Sequence, residues 1–133
     1  MTSSDIEVVR AFFERLGSGD ADFALELISE DCVLEVPPSL SAEPDVYEGH
    51  EGARRYMRGF DGLVDDVRYE ALEILEEEGR VIVMMRVAGR GATSGIEVAL
   101  DSVVVCRVQD GKITRVDPYP DLETARQGPR GIE

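Results

Sequence analysis

Four long β-rich segments joined by short turns fill the second half of the chain and limit its fold more than any other feature. Turns this short, which read EEEGR, GATSG and QDG, connect neighbouring antiparallel strands. The second segment is apolar on both faces, which predicts a central strand. In the first segment the alternation changes parity near residues 71–72, which predicts a β-bulge. The four segments are 67–76, 81–90, 96–108 and 113–118.

Helical spacing dominates the first half. Ser4 and Glu7 have the spacing of a capping box at the start of a first helix, and Asp20 can cap a second. A short strand is predicted at 32–36, and a polar loop at 39–52 leads into a third helix. Asp121 marks the start of a short last helix. The apolar positions that recur at helical spacing are Ile6, Val9, Phe13 and Leu16, then Ala21, Ala24, Leu25 and Ile28, then Ala53, Tyr56, Met57 and Phe60.

This order of elements predicts an α+β fold, in which three N-terminal helices cover one face of a curved antiparallel sheet. A long bulged sheet that wraps over helices leaves a conical pocket where the two layers separate, and such a pocket suits an apolar ligand. The length fits a single domain over residues 1–133, with a flexible tail at about 127–133.

The charge balance excludes several classes of partner. Lys and Arg number 14 and Asp and Glu number 28, so the net charge is −14. A chain this acidic is repelled by nucleic acid and by anionic membranes. It has no apolar run long enough to span a bilayer, and its start, MTSSDIEVVR, lacks the features of a signal peptide. These observations predict a cytoplasmic protein with neither nucleic acid nor membrane as partner.

Metal and redox chemistry have little support in the sequence. Cys32 and Cys106 both lie within apolar strand patterns, which predicts two reduced, buried thiols. The chain has one histidine and no Cys-x-x-Cys pair, so we expect no zinc site. The acids at 76–78 lie at a turn, where adjacent side chains diverge instead of converging on an ion. We expect neither a metal nor a cofactor.

The parity of the last two strands decides whether Asp101 is a candidate catalyst. A three-residue loop with Gly111 in a left-handed bulge pairs Val108 with Lys112, whereas a two-residue turn pairs Val108 with Ile113. The first register separates apolar from charged side chains, so we prefer it. It places Asp101, Val103, Val105, Arg107, Ile113, Arg115, Asp117 and Tyr119 outside, and Ser102, Val104, Cys106, Thr114, Val116 and Pro118 inside.

Four segments of the chain carry a family resemblance. They read GSGDADFALELISEDCVLEVPP, YEGHEGARRYMRGF, GRVIVMMRVAGRGATSGIEV and VQDGKITRVDPYPD. Together they resemble the SnoaL-like group of the nuclear transport factor 2 (NTF2-like) superfamily, over about residues 6–125. The resemblance implies a cone-shaped fold that encloses a pocket. It does not specify an activity, because this fold hosts isomerases, cyclases, hydratases, dehydratases and non-catalytic binders.

The resemblance includes ketosteroid isomerases, which use an Asp base, a Tyr and a protonated Asp. When the Gly19–Asp20 pair is aligned with the same pair in these enzymes, the Asp base falls at Val36, the Tyr at Phe12 and the protonated Asp at Val104. None of these side chains can accept or donate the required proton. The resemblance therefore implies that this isomerase chemistry is absent, although a slip of one residue at Val36 would select Glu35.

Other polar residues have both a functional and a structural interpretation. Glu35 alternates with apolar neighbours and is expected to point away from the pocket. Arg86 could hold an anionic or carbonyl group of a ligand, or pair with one of the many acids. Tyr56 could donate a hydrogen bond in the pocket, or simply place its ring in the core. His50 could titrate near neutral pH, but the glycines around it favour a loop or capping role.

The sequence leaves three functions open. We expect a pocket for a hydrophobic or polycyclic small molecule, in a protein that is either a cofactor-independent isomerase, cyclase or hydratase, or a non-catalytic carrier or sensor. A protein-interaction domain of the nuclear transport type is the third. Val103, Val105 and Tyr119 on the outer face predict a homodimer. The expected pocket-lining residues are Phe12, Leu34, Val36, Tyr56, Phe60, Arg86, Ser102, Val104 and Val116.

Overall fold

The computed structural model describes residues 2–36, 45–58 and 64–127. Four helices and six strands are described. The helices are α1 (Thr2–Gly17), α2 (Ala21–Leu25), α3 (Gly49–Arg58) and α4 (Leu122–Gln127). The strands are β1 (Ile28–Val36), β2 (Asp45–Glu48), β3 (Val64–Glu77), β4 (Arg80–Gly91), β5 (Glu97–Gln109) and β6 (Lys112–Tyr119). No helix in the described ranges is both long and apolar enough to cross a membrane.

The strands form one six-stranded sheet in the order β2-β1-β6-β5-β4-β3. Its neighbours are antiparallel except for β1 and β6, which run parallel. The α+β prediction is therefore confirmed, with one parallel pair that the sequence analysis did not anticipate. Bulges bend the sheet, and one of them lies between Ala71 and Glu73. This confirms the predicted change of parity, since the extra residue Leu72 shifts every later side chain of β3 to the opposite face.

The three N-terminal helices pack on one face of the sheet, which we call the inner face. Their apolar side chains join a core that includes Val9 and Phe13 of α1 and Leu25 of α2. Asp20 caps α2, because its Oδ1 accepts a hydrogen bond of 3.0 Å from the backbone N–H of Phe23. By contrast, α1 begins at Thr2, so Ser4 lies within the helix and is not its cap.

The turn between β5 and β6 differs from the preferred prediction. Gln109 pairs with Lys112 across a two-residue turn in which Asp110 and Gly111 have φ values of 53° and 77°, as a type I′ turn requires. The bulge lies instead between the pairs Arg107–Arg115 and Val108–Ile113. Ile113 therefore reaches the inner core, whereas it was expected outside.

The outer face carries a second apolar cluster that α4 covers. Val103 and Val105 are 5% and 3% exposed and pack with Ala125, and Leu122 and Tyr119 lie against the same cluster. The short last helix was predicted, but its position was not. The patch that suggested a homodimer is therefore buried within the chain, and that argument for a dimer is wrong.

Strand β2 pairs with β1 from Val33–Glu48 to Val36–Asp45, inside the stretch that was expected to be a polar loop. The predicted flexible tail lies almost wholly outside the described residues, because Gln127 ends α4 and 128–133 are not described.

Candidate functional site

A cavity of about 320 Å³ lies between the inner face of the sheet and the helices. The strands contribute Ile28, Cys32, Leu34, Val36, Tyr47, Tyr69, Met85, Val87, Leu100, Ser102, Val104, Cys106, Val116 and Pro118. The helices contribute Phe12, Phe13, Leu16, Leu25, Gly49, Ala53, Tyr56 and Met57. Among the described residues, no Asp, Glu, His, Lys or Arg lines this cavity.

The period of two along each strand explains why this lining is uncharged. In β5, Ser102, Val104 and Cys106 point into the cavity, whereas the intervening side chains point to the outer face. The facing strand β4 behaves in the same way, because Met85 pairs with Ser102 and also lines the cavity. One face of the sheet is thus apolar and the other carries the charges.

The structure brings together seven of the nine side chains that were expected to line the pocket. Of the other two, Phe60 lies outside the described residues and Arg86 does not reach the cavity. The seven are Phe12, Leu34, Val36, Tyr56, Ser102, Val104 and Val116.

Arg86 belongs to the outer face, which corrects its prediction as a pocket residue. Its Nε and Nη2 donate hydrogen bonds of 2.6 and 3.0 Å to the two carboxylate oxygens of Asp101. The hydrogen bonds from Arg86 lower the pKa of Asp101 and raise the pKa of Arg86. Arg86 of β4 pairs with Asp101 of β5. The residues on either side of each of them line the cavity, so Arg86 and Asp101 point to the opposite face, away from the helices. Asp101 is accordingly a surface ion-pair partner.

Glu35 is also on the outer face. Its Oε1 accepts a hydrogen bond of 2.7 Å from Nη2 of Arg115, and the Nε of Arg115 donates to Asp117 at 2.9 Å. Glu35 therefore does not replace Val36 in the cavity, as a slip of one residue would have required.

The three positions aligned with the ketosteroid isomerase residues all lie around the cavity. Phe12 packs edge-to-face against Phe13, with ring centroids 5.5 Å apart. Val36 and Val104 are 8% and 6% exposed. These three side chains offer neither a base nor a hydrogen-bond donor for an enolate.

Tyr47 is a cavity residue that sequence reasoning missed. Its ring packs edge-to-face on Tyr56, with centroids 5.4 Å apart. Burial, and then the neighbouring Tyr47, raise the pKa of Tyr56. Tyr47 was hidden because it lies in the short edge strand β2, within an apparently polar loop. The alternation of side chains along β4 and β5 would also have predicted Met85, Val87 and Leu100 as lining residues.

The two cysteines are free thiols that line the cavity. Burial raises the pKa of Cys106 from 9.0 to about 12. Burial and the nearby Asp31 raise the pKa of Cys32 from 9.0 to about 11. A thiol is nucleophilic only as the thiolate, so both are unreactive at neutral pH.

His50 supports the cavity wall without lining it. Its Nε2 donates a hydrogen bond of 2.7 Å to the backbone carbonyl of Ile28, which fixes the N-terminal end of α3 to β1. This agrees with the structural interpretation of His50. Within the described ranges, no group of three potential metal ligands comes together.

Comparisons with known proteins agree with this geometry. The SnoaL-like domain family matches residues 9–116, and a search of curated proteins found no match. TerC, co-crystallised with polyporic acid, is 21% identical, with a TM-score of 0.76 over 93% of this chain and 96% of that one.

Two other solved structures share the fold. A protein with a ketosteroid isomerase-like fold from Catenulispora acidiphila, in complex with trimethylamine, is 15% identical, with a TM-score of 0.71 over 87% of this chain and 86% of its own. A SnoaL-like protein of the polyketide cyclase type from Jannaschia sp. CCS1 is 17% identical, with a TM-score of 0.70 over 94% of this chain and 90% of its own. Since the family match covers most of its length, the chain belongs to the SnoaL-like domain family.

Proposed function

We propose that this single SnoaL-like domain binds a hydrophobic or polycyclic small molecule in the cavity and acts as its carrier or sensor. One observation carries the proposal: the side chains leave about 320 Å³ that is lined almost wholly by apolar groups. Cavities of this size and character bury most of the surface of a small ligand. The neighbours that were crystallised with polyporic acid and with trimethylamine support the use of this fold for small ligands.

A cofactor-independent isomerase, cyclase or hydratase is the second candidate. It is favoured by the likeness to a SnoaL-like protein of the polyketide cyclase type and by the hydroxyl groups of Ser102, Tyr47 and Tyr56 in the lining. These groups can orient a substrate carbonyl, but they are weak bases. We place catalysis second because the described lining lacks a carboxylate or imidazole that could move a proton. A protein-interaction domain has no comparable support.

The binding proposal is tested by thermal unfolding in the presence of steroid-like and polyketide-like compounds and of polyporic acid. A ligand at about 100 times its Kd stabilises the native state by about 2.7 kcal/mol, which raises the Tm of a chain this size by roughly 10 °C. Val104→Phe should abolish that shift, because Val104 lines the cavity and the larger ring would fill part of its volume.

Val103→Phe is the matched control. Val103 is equally buried, but it packs on the outer face with Ala125. This variant should lose about 1–3 kcal/mol of stability through overpacking and keep the ligand-induced shift. A Val104→Phe protein that shows the full wild-type shift would exclude the cavity as the binding site.

We also propose that the protein is a cytoplasmic homodimer. Free thiols are typical of a reducing compartment. Support for the dimer is the exposed apolar pair Ile96 and Val98, which are 65% and 42% exposed. Sedimentation at micromolar concentration should show a dimer, and Ile96→Lys should shift it toward monomer. A wild-type chain that sediments only as monomer removes the dimer.

A further inference from the structure

We propose that the cavity accepts a ligand only in its uncharged form, so that binding of a weak acid from neutral solution takes up one proton from water. This inference rests on the proposed binding function and defines the class of ligand: a neutral aromatic or polycyclic molecule, or the protonated form of an acid. The ionised acid combines with one proton from solvent, and the neutral acid is the species that binds.

The first support is the lining, taken element by element. Among the described residues, the ionisable groups that face the cavity are Cys32 of β1, Tyr47 of β2, Tyr56 of α3, Tyr69 of β3 and Cys106 of β5. The described parts of α1, α2, β4 and β6 contribute only apolar side chains to it. Thiols and phenols are uncharged in their ordinary state near neutral pH, and burial holds the pKa values of both thiols and of Tyr56 above their usual range.

The second support is where the positive charges lie. Arg86 and Arg115 are engaged on the outer face by Asp101, Glu35 and Asp117. These side chains are held away from the cavity by the alternation of the strands. Neither of these two guanidinium groups can therefore pair with an anion in the cavity. Arg55 of α3 lies over the ring of the cavity residue Tyr47, 4.3 Å from its centroid. It donates a hydrogen bond of 3.4 Å to the backbone oxygen of Val46 and does not line the cavity.

The two internal stretches outside the described residues do not add a basic side chain. Segments 37–44 and 59–63 contain no Lys, Arg or His, and their ionisable residues are Glu43 and Asp61. Arg130, near the C-terminus, is the one basic residue in all the undescribed stretches. With a net charge of −14, the protein as a whole also repels an anion.

Physical chemistry then fixes how binding depends on pH. An ionised carboxylate loses its hydration on entering an apolar cavity, and without a partner the group takes a proton instead. If only the neutral acid binds, the apparent Kd rises about tenfold for each pH unit above the pKa of the ligand in water, which is about 4 for a carboxylic acid. A neutral ligand of the same shape shows no such dependence.

The test uses 2-acetylnaphthalene and 2-naphthoic acid, which share a bicyclic ring and differ in a ketone or a carboxyl group. Kd is measured by fluorescence titration at about pH 5.5 and about pH 7.5. The Kd of the acid should rise about 100-fold between these values, whereas the Kd of the ketone should stay within about twofold. Calorimetry of the acid in buffers with different ionisation enthalpies should show uptake of one proton.

A pair of variants separates the cavity from the general charge of the protein. Leu100→Arg adds a guanidinium at the exposed rim of the lining, and should lower the acid-to-ketone ratio of Kd at about pH 7.5 by about tenfold, the scale of one charge-assisted pair. Ala99→Arg adds the same charge one residue earlier, on the opposite face, and should leave the ratio unchanged.

The outcomes distinguish this inference from the function on which it rests. If neither probe binds, the proposed binding function fails. If the ketone binds and the Kd of the acid is the same at both pH values, the function stands and neutral-form selection is overturned. An unchanged ratio in Leu100→Arg would also overturn it, because a missing cation would then not be what excludes the anion.

Discussion

Replacing Gly49 by alanine is expected to destabilise the protein by about 2–5 kcal/mol, the largest loss we predict for adding a single methyl group. Gly49 begins α3 with a φ of +69°, and an added Cβ would lie 2.7 Å from the backbone oxygen of Glu30. The left-handed conformation costs a residue with a Cβ about 1–2 kcal/mol. The clash adds to this, because a backbone oxygen within β1 cannot turn aside as a flexible side chain can.

Two other glycines separate these contributions. Gly79 has a φ of +77° and open space around it, so Gly79→Ala should cost only the conformational strain, about 1–2 kcal/mol. Gly52 is not in the left-handed region, but its Cβ would lie 2.8 Å from the backbone carbonyl carbon of Tyr47. Gly52→Ala should cost only the clash, about 1–3 kcal/mol.

Urea unfolding of the three variants and the wild type measures these free energies. If Gly49→Ala loses no more stability than Gly79→Ala, then α3 is not held against β1 at this close approach. The result also concerns the cavity, since α3 carries Tyr56 and Met57 into its lining. A loosened α3 should weaken binding of any ligand there.

The second large effect is a loss of stability in alkali that depends on Cys106. Burial raises the pKa of this thiol from 9.0 to about 12. The unfolded chain ionises Cys106 above pH 9, whereas the native protein keeps it protonated. The stabilising contribution is therefore complete below pH 9 and is lost as the pH rises from 9 toward 12.

Cys106→Val measures this contribution, because valine fills a similar space and cannot ionise. At about pH 10.5 the thiol should account for a loss on the order of 2 kcal/mol relative to pH 8, at about 1.4 kcal/mol per pH unit. The difference in unfolding free energy between variant and wild type should grow by that amount. The same difference at pH 7 and pH 8 is the control, since both thiols are protonated there in either state. A constant difference from pH 7 to pH 10.5 would show that the thiol is not shielded from water.

Sequence patterns predicted the strand faces, the bulge and the helix cap of this protein because each of these depends on residues close together in the chain. The alternation within 96–108 placed Ser102 and Val104 on one face and Asp101 on the other, without knowledge of any neighbour. The bulge near Ala71 was visible for the same reason, since an extra residue leaves its mark in the alternation of its own strand. Asp20 was recognised as a cap because its partner lies three residues away.

Other features depended on partners far away in the chain. Strand β2 exists because Tyr47 and its neighbours pair with β1, and a four-residue segment does not by itself predict that pairing. The position of α4 over Val103 and Val105 follows from where the sheet ends. Arg86 was misplaced because an arginine within an apolar strand suits either face until its partner, Asp101, is known.

The sequence by itself determined which side chains could share a face, and hence that one side of the sheet would be apolar and the other charged, because a strand turns successive side chains in opposite directions. Only the tertiary structure decided that the apolar side faces a cavity of about 320 Å³ and that α4 covers a second apolar cluster on the outer side. A volume between layers depends on how bulges bend the sheet and where helices dock on it, and both arise from contacts between residues distant in the chain.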